Sequence, residues 1–189
     1  MKTYLLILFL SISLGCKSIP TNVGKDSSAV EIVSKFYSWY INEAYQKSTS
    51  YYQVPGYKKV DVSKYIFNVD EYKDRLEDIY WFSDNYKEKL INQLKVCNEE
   101  LMRFDWDAEP EPMFNLKPCN YLWGNQWVGG QGEKIDGFEI VLSERERELV
   151  ICNVNILIDN NVFVRSIVTL KEYNDEFQII DISLDWKRD

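Results

Sequence analysis

Residues 136–186 constrain this chain most, because they hold four strand-like runs separated by polar turns. In the closing run Ile180, Ile182, Leu184 and Trp186 alternate with Asp181, Ser183 and Asp185. A period of two with one apolar and one polar face predicts a half-buried antiparallel strand. The expected strands cover 136–143, 149–158, 162–172 and 177–186, with turns at 144–147, 159–161 and 174–175. Together they predict a four-stranded antiparallel meander whose apolar face must be covered by the rest of the chain.

The cover is legible upstream. Ser28-Ala29-Val30-Glu31 has the Ser-x-x-Glu form of a capping box. From there Val30, Val33, Phe36, Tyr37, Tyr40, Ile41 and Ala44 follow helical spacing, so an amphipathic helix is expected over 28–47. The stretch 47–64 is tyrosine-rich and broken at Pro55-Gly56, which predicts a loop. Helices are expected over 70–80 and from Asp84 onward, the second carrying Tyr86, Leu90, Ile91, Leu94, Cys97 and Leu101 on one face. Pro110, Pro112 and Pro118 then interrupt regular structure, and the glycine-bearing stretch 120–132, with Trp123 and Trp127, reads as an ordered surface loop. Helices first and antiparallel strands last make an α+β chain with N-terminal helices packed on the meander, one domain over 28–189.

Two resemblances extend this reading. The run Tyr4 to Leu14 is apolar after Lys2 and too short to cross a bilayer. It ends in Ser13-Leu14-Gly15-Cys16, which resembles the bacterial lipobox, with Ser13 where leucine is usual. That resemblance implies a signal peptide over 1–15, lipidation of Cys16 and a lipidated tether over 16–27. It also implies a bacterial cell-envelope address, facing periplasm or cell surface. Separately, Phe36-Tyr37-Ser38-Trp39-Tyr40 and a closing strand ending in Asp185-Trp186 resemble a family of uncharacterised bacterial lipoproteins. Their fold is the cystatin-like, nuclear-transport-factor-2-like cone. The resemblance implies a long helix across a curved sheet, often with a pocket between them, and implies no activity.

Composition removes several chemistries. The chain has no histidine, which takes away the commonest general base and metal ligand, and no glycine-rich phosphate loop precedes a helix. A net charge of −8 without a basic run argues against nucleic acid and against electrostatic attachment to anionic lipid. Four carboxylates in Asp105-Trp106-Asp107-Ala108-Glu109-Pro110-Glu111 make Asp105, Asp107 and Glu109 candidate calcium ligands, set against an exposed acidic loop. Tyr121-Leu122-Trp123-Gly124-Asn125-Gln126-Trp127 interleaves rings with amides, a pattern that can stack on sugars and orient them. The alternative is that both tryptophans tuck into the core. Beyond Cys16, the cysteines Cys97, Cys119 and Cys152 allow three pairings. A Cys97–Cys119 bridge would clamp the acidic loop and leave Cys152 as a buried thiol in the sheet.

The expectation is therefore a non-enzymatic envelope lipoprotein without a cofactor. Its binding domain would take a small molecule, glycan or protein in the space between helix 28–47 and the sheet. Tyr37, Tyr40, Trp123, Asn125 and Trp127 are the candidate contacts. The alternative is a protein-interaction factor, of immunity or assembly type, for an envelope partner.

Overall fold

The computed structural model describes residues 27–45, 52, 55–104, 116–123, 126–130 and 132–186. The chain is α+β. Helix α1 runs Ser27–Trp39 and continues as a π-helical segment, Tyr40–Tyr45. A hairpin of β1 (Tyr57–Asp61) and β2 (Lys64–Phe67) comes next, then α2 (Val69–Glu77) and α3 (Asp84–Arg103). A 3₁₀ helix at Lys117–Trp123 precedes β3 (Gly137–Glu146), β4 (Leu149–Ile158), β5 (Asn161–Tyr173) and β6 (Glu176–Asp185). No helix among the described residues is long and apolar enough to cross a membrane.

The larger sheet has the order β3-β4-β5-β6 with antiparallel neighbours. A single-residue parallel bridge from Phe82 to Ile179 adds a further segment along the β6 edge. Asp159-Asn160 and Asn174-Asp175 take positive φ at both positions, as tight two-residue hairpin turns require. The first turn departs from expectation: β3 and β4 stay paired through Glu146 and Leu149. The charged stretch from Glu144 to Glu146 is therefore strand, and the tip is Arg147-Glu148.

Each strand pair carries one extra residue: Val141 in β3, Phe163 in β5 and Ile180 in β6. Such bulges bend and twist a sheet. The one at Ile180 also inverts the side-chain phase. Phe177, Ile179 and Ile182 face the core, while Ile180, expected inward, stands outside it. A period-2 pattern read through a bulge is right on one side of it only.

Helix α1 lies against β6, β3 and β4. Ala29, Val33, Phe36 and Tyr37 form its buried stripe, and the π segment keeps Tyr40, Ile41, Ala44 and Tyr45 inward as well. A π-helix bonds i to i+5, which brings Tyr40 and Tyr45 to one face with ring centroids 6.1 Å apart. Ser28 sits inside the helix, one residue past its start, and Glu31 pairs with Lys35 rather than capping. The expected end at residue 47 lies outside the described residues.

Helix α2 is capped by Asn68 and ends at Glu77, short of the expected 80, because the chain leaves it to reach the sheet. There Ile179 N–H donates to Trp81 O at 2.8 Å and Ser83 N–H to Ile179 O at 3.0 Å. Ser83 then caps α3, accepting from Tyr86 N–H. On α3, Tyr86, Leu90, Leu94, Cys97 and Leu101 are buried at helical spacing. The stretch expected as a loop over 47–64 holds β1 and the start of β2. Its five β1 residues are all exposed, so no apolar alternation announces the strand.

Three tyrosines sealed in the core predict how the fold responds to alkali. Burial pushes the phenols of Tyr37 and Tyr72 well above the ordinary value, against the opposing pull of hydrogen bonds with Ser166 and Gln126. Burial raises Tyr86 strongly too, and the charge of Asp181 adds to it. In the unfolded chain these groups ionise near pH 10. Their contribution to stability is therefore complete below about pH 10 and falls as pH rises, by up to about 1.4 kcal/mol per pH unit for each. Cooperative alkaline unfolding is expected, with a last step of phenolate absorbance, beyond that of the exposed tyrosines, appearing together with loss of ellipticity. Ionisation of every tyrosine while the fold stays intact would contradict this packing.

Candidate functional site

The space between α1 and the sheet, expected to be a pocket, is occupied by aromatic rings. Trp127 is fully buried. Its ring meets Tyr40 at 5.0 Å, Phe82 at 5.2 Å and Phe36 at 5.8 Å, all edge to face. Tyr37 is buried as well, donating from its hydroxyl to Trp127 O at 3.1 Å and sharing a 2.6 Å hydrogen bond with Ser166 Oγ. Tyr37, Tyr40 and Trp127 thus form the core that joins helix to sheet, not the rim of a cone. The stretch expected as a surface loop places Trp127 and Val128 inside. The local reason is at Gly129 and Gly130, both at positive φ, which turn the chain back immediately after Trp127 and drive its ring inward.

The other expected residues divide cleanly. Cys97 and Cys119 form a disulfide between α3 and the 3₁₀ helix, and Cys152 is a buried cysteine of β4 outside that bridge. Asp105, Asp107, Glu109, Asn125 and Cys16 lie outside the described residues, as does the Trp123 side chain. Among the described residues no cluster of three or more Cys, Asp or Glu is arranged to hold a metal ion.

A cavity does exist, at the β6 side of the sheet. Between α3 and the open half of β6 lies a groove of about 360 Å³. Tyr86 and Leu90 from α3, with Ile182 and Leu184 from β6, supply its apolar surface. Gln93, Asn120, Gln126 and Ser183 supply donors and acceptors. The fold positions these groups firmly. Asn120 follows the disulfide-held Cys119, and Gln126 Nε2 donates to the Tyr72 hydroxyl at 3.3 Å.

At the mouth stands Trp186, 51% exposed. Its ring packs on the bare backbone of Gly129, where an added Cβ would come within 2.8 Å of it. Phe163, the extra residue of the β5 bulge, supports it edge-on at 5.8 Å. Gly129 therefore does two jobs: its conformation buries Trp127, and its missing side chain seats Trp186.

The charged groups of the groove are Lys89 and Asp181, joined at 2.7 Å. They neutralise each other, so the groove has no net charge although the chain is acidic. Asp181 is also the single carboxylate among its lining residues, whereas glycoside hydrolysis by the usual route takes two. What this surface can do is stack a ring and hydrogen-bond a polar, uncharged ligand.

No protein-family model matches this chain, and no curated protein or solved structure does either. The functional reading therefore rests on the groove. Trp186 appears in the sequence as the last inward residue of a strand. It keeps the phase of Ile182 and Leu184 but lies one residue past the end of β6, and alternation alone does not fix where a strand ends.

Proposed function

We propose that this chain is a non-enzymatic, lipid-anchored protein of the bacterial cell envelope whose domain binds a neutral glycan in the α3–β6 groove. The lipobox-like Ser13-Leu14-Gly15-Cys16 supports the address. A disulfide at Cys97–Cys119 suits an oxidising compartment. The fold reading is a cystatin-like cone, supported by α1 crossing a sheet bent by three bulges, with its interior filled rather than open.

The observation that carries the ligand class is the pairing of a supported, half-exposed indole with amides and a self-neutralised ion pair. A sugar ring offers an apolar face to Trp186 and hydroxyls to Gln93, Asn120 and Gln126, and asks for no net charge. A free anion would find Lys89 already engaged. The absence of histidine and the lone groove carboxylate support binding rather than turnover.

Calorimetric titration with neutral oligosaccharides, cello- and chito-oligomers among them, tests this. Binding is expected, and Trp186→Ala should weaken it about fivefold, the loss of roughly 1 kcal/mol of ring contact. Binding that survives Trp186→Ala unchanged would place the ligand elsewhere.

A second reading has one observation in its favour. Beyond Ile179, the free edge of β6 borders the groove and takes no backbone partner from α3 among the described residues. An extended peptide added to that edge would make the domain a protein-interaction factor. An unstructured peptide that displaced bound saccharide and protected β6 amides from exchange would favour this reading.

A further inference from the structure

The β1–β2 hairpin poses a problem that the groove does not answer. Two-stranded ribbons are marginal in water, yet this one is exposed along the whole of β1 and ends in an apolar tip. Val62 is 85% exposed, the most exposed large hydrophobic residue described, and Val60 and Tyr57 are 41% and 52% exposed. The ribbon is nevertheless held rigidly at its base. Phe67 N–H donates to Asn98 Oδ1 at 2.8 Å and Asn98 Nδ2 donates back to Phe67 O at 2.9 Å. Tyr57 stacks on Phe67 at 4.9 Å. At the tip, Asp61 Oδ1 accepts from Val62 N–H at 2.7 Å, folding the one carboxylate of the ribbon back onto its own turn.

The ordering of side chains along the ribbon is informative. Val62 stands at the turn beside the Asp61–Lys64 pair; the next pair back is Lys59 with Tyr65, the Lys59 ammonium lying over the tyrosine ring. Lys58 flanks them, and Lys64 reaches the carbonyl of Met102 at the α3 C-terminus. In a chain of net charge −8, this hairpin carries three lysines and a single aspartate. An exposed valine at the turn, with a tyrosine and lysines on the pairs just behind it, is the composition that partitions to the interface of an anionic bilayer.

We propose that the β1–β2 hairpin docks on an anionic lipid surface, with Val62 entering the interface and Lys58 and Lys59 meeting the headgroups. This does not depend on what the groove binds, nor on lipidation of Cys16. Where Cys16 is lipidated, the ten residues between it and Ser27 reach up to roughly 35 Å. A tether of that length leaves the domain's orientation open, and the hairpin would fix it as a second contact made at high effective concentration.

The test uses the full chain in lipid nanodiscs bearing a paramagnetic chelate on the headgroup, read by amide signal attenuation. In phosphatidylcholine–phosphatidylglycerol discs, the amides of residues 60–63 should be attenuated several-fold more than in pure phosphatidylcholine discs. High salt and Val62→Asp should each remove the difference, the latter with the Phe67 and Asn98 signals unmoved as evidence of an intact hairpin. Unattenuated hairpin amides would overturn the proposal, as would equal attenuation in both discs or a Val62→Asp variant that behaves like the parent. Concentration-dependent shifts of the same amides without lipid would also overturn it, by assigning the tip to contact between copies of the chain.

Discussion

Trp127→Ala is expected to destabilise the protein by about 4 kcal/mol, a large part of the roughly 5–15 kcal/mol that a domain of this kind has in hand. The indole sits where three layers meet: α1 through Phe36 and Tyr40, the segment between α2 and α3 through Phe82, and the sheet behind. Its backbone carbonyl also accepts from the Tyr37 hydroxyl. Removing the ring opens a void that rigid neighbours cannot fill, because Phe82 is tied to the β6 edge by the bonds on either side of it. Trp127→Phe should behave differently. The indole N–H weakly favours ionised Tyr86 but meets no acceptor at hydrogen-bonding geometry. The ring swap therefore sheds an unsatisfied donor along with some volume. A loss of about 1–2 kcal/mol is expected for it. Urea unfolding of both variants measures the difference. A Trp127→Ala variant that loses ligand affinity but keeps its midpoint would restore the expectation that this residue faces a ligand.

Removing the disulfide, as Cys97→Ala with Cys119→Ala, should cost about 3 kcal/mol, since it releases a crosslink of sequence separation 22. At this chain length that corresponds to a fall in Tm of roughly 6–12 °C. The effect should not be confined to stability. The bridge fastens the 3₁₀ helix to α3, and Asn120 of the groove is the residue after Cys119. Saccharide affinity is expected to drop in the double variant at temperatures where it remains folded. Unchanged melting would mean that the crosslinked region is already ordered in the unfolded reference state.

Much of this architecture can be read from residue patterns, and the failures have identifiable causes. The strands of the sheet and the buried face of α3 are strongly periodic, and burial enforces periodicity. The β1–β2 hairpin is not legible because β1 is exposed throughout and β2 buries only its end; Lys58, Lys59 and Lys64 give it the composition of a loop. The glycine-rich neighbours of Trp127 read as a surface loop, and of the two readings of its ring the one tucked into the core is the one Trp127 takes. Those same glycines are what let the chain turn so that the indole points inward. The groove was invisible for a different reason. It joins α3, the residue after Cys119 and the end of β6, and Trp186 keeps the phase of Ile182 and Leu184 but lies one residue past the strand, where it stands half-exposed. The aromatic-and-amide stretch 121–127 contributes Gln126, but its chemistry is completed by groups far away in sequence.

The most direct test of the central claim is side-chain NMR during titration with a neutral oligosaccharide. The claim predicts shifts in the amide groups of Gln93, Asn120 and Gln126 and in the indole N–H of Trp186, saturating together, while the indole of Trp127 and the ring of Tyr37 stay unmoved. Shifts centred on Trp127, Tyr37 and Tyr40 with a silent groove would contradict it and return the binding site to the space between helix and sheet.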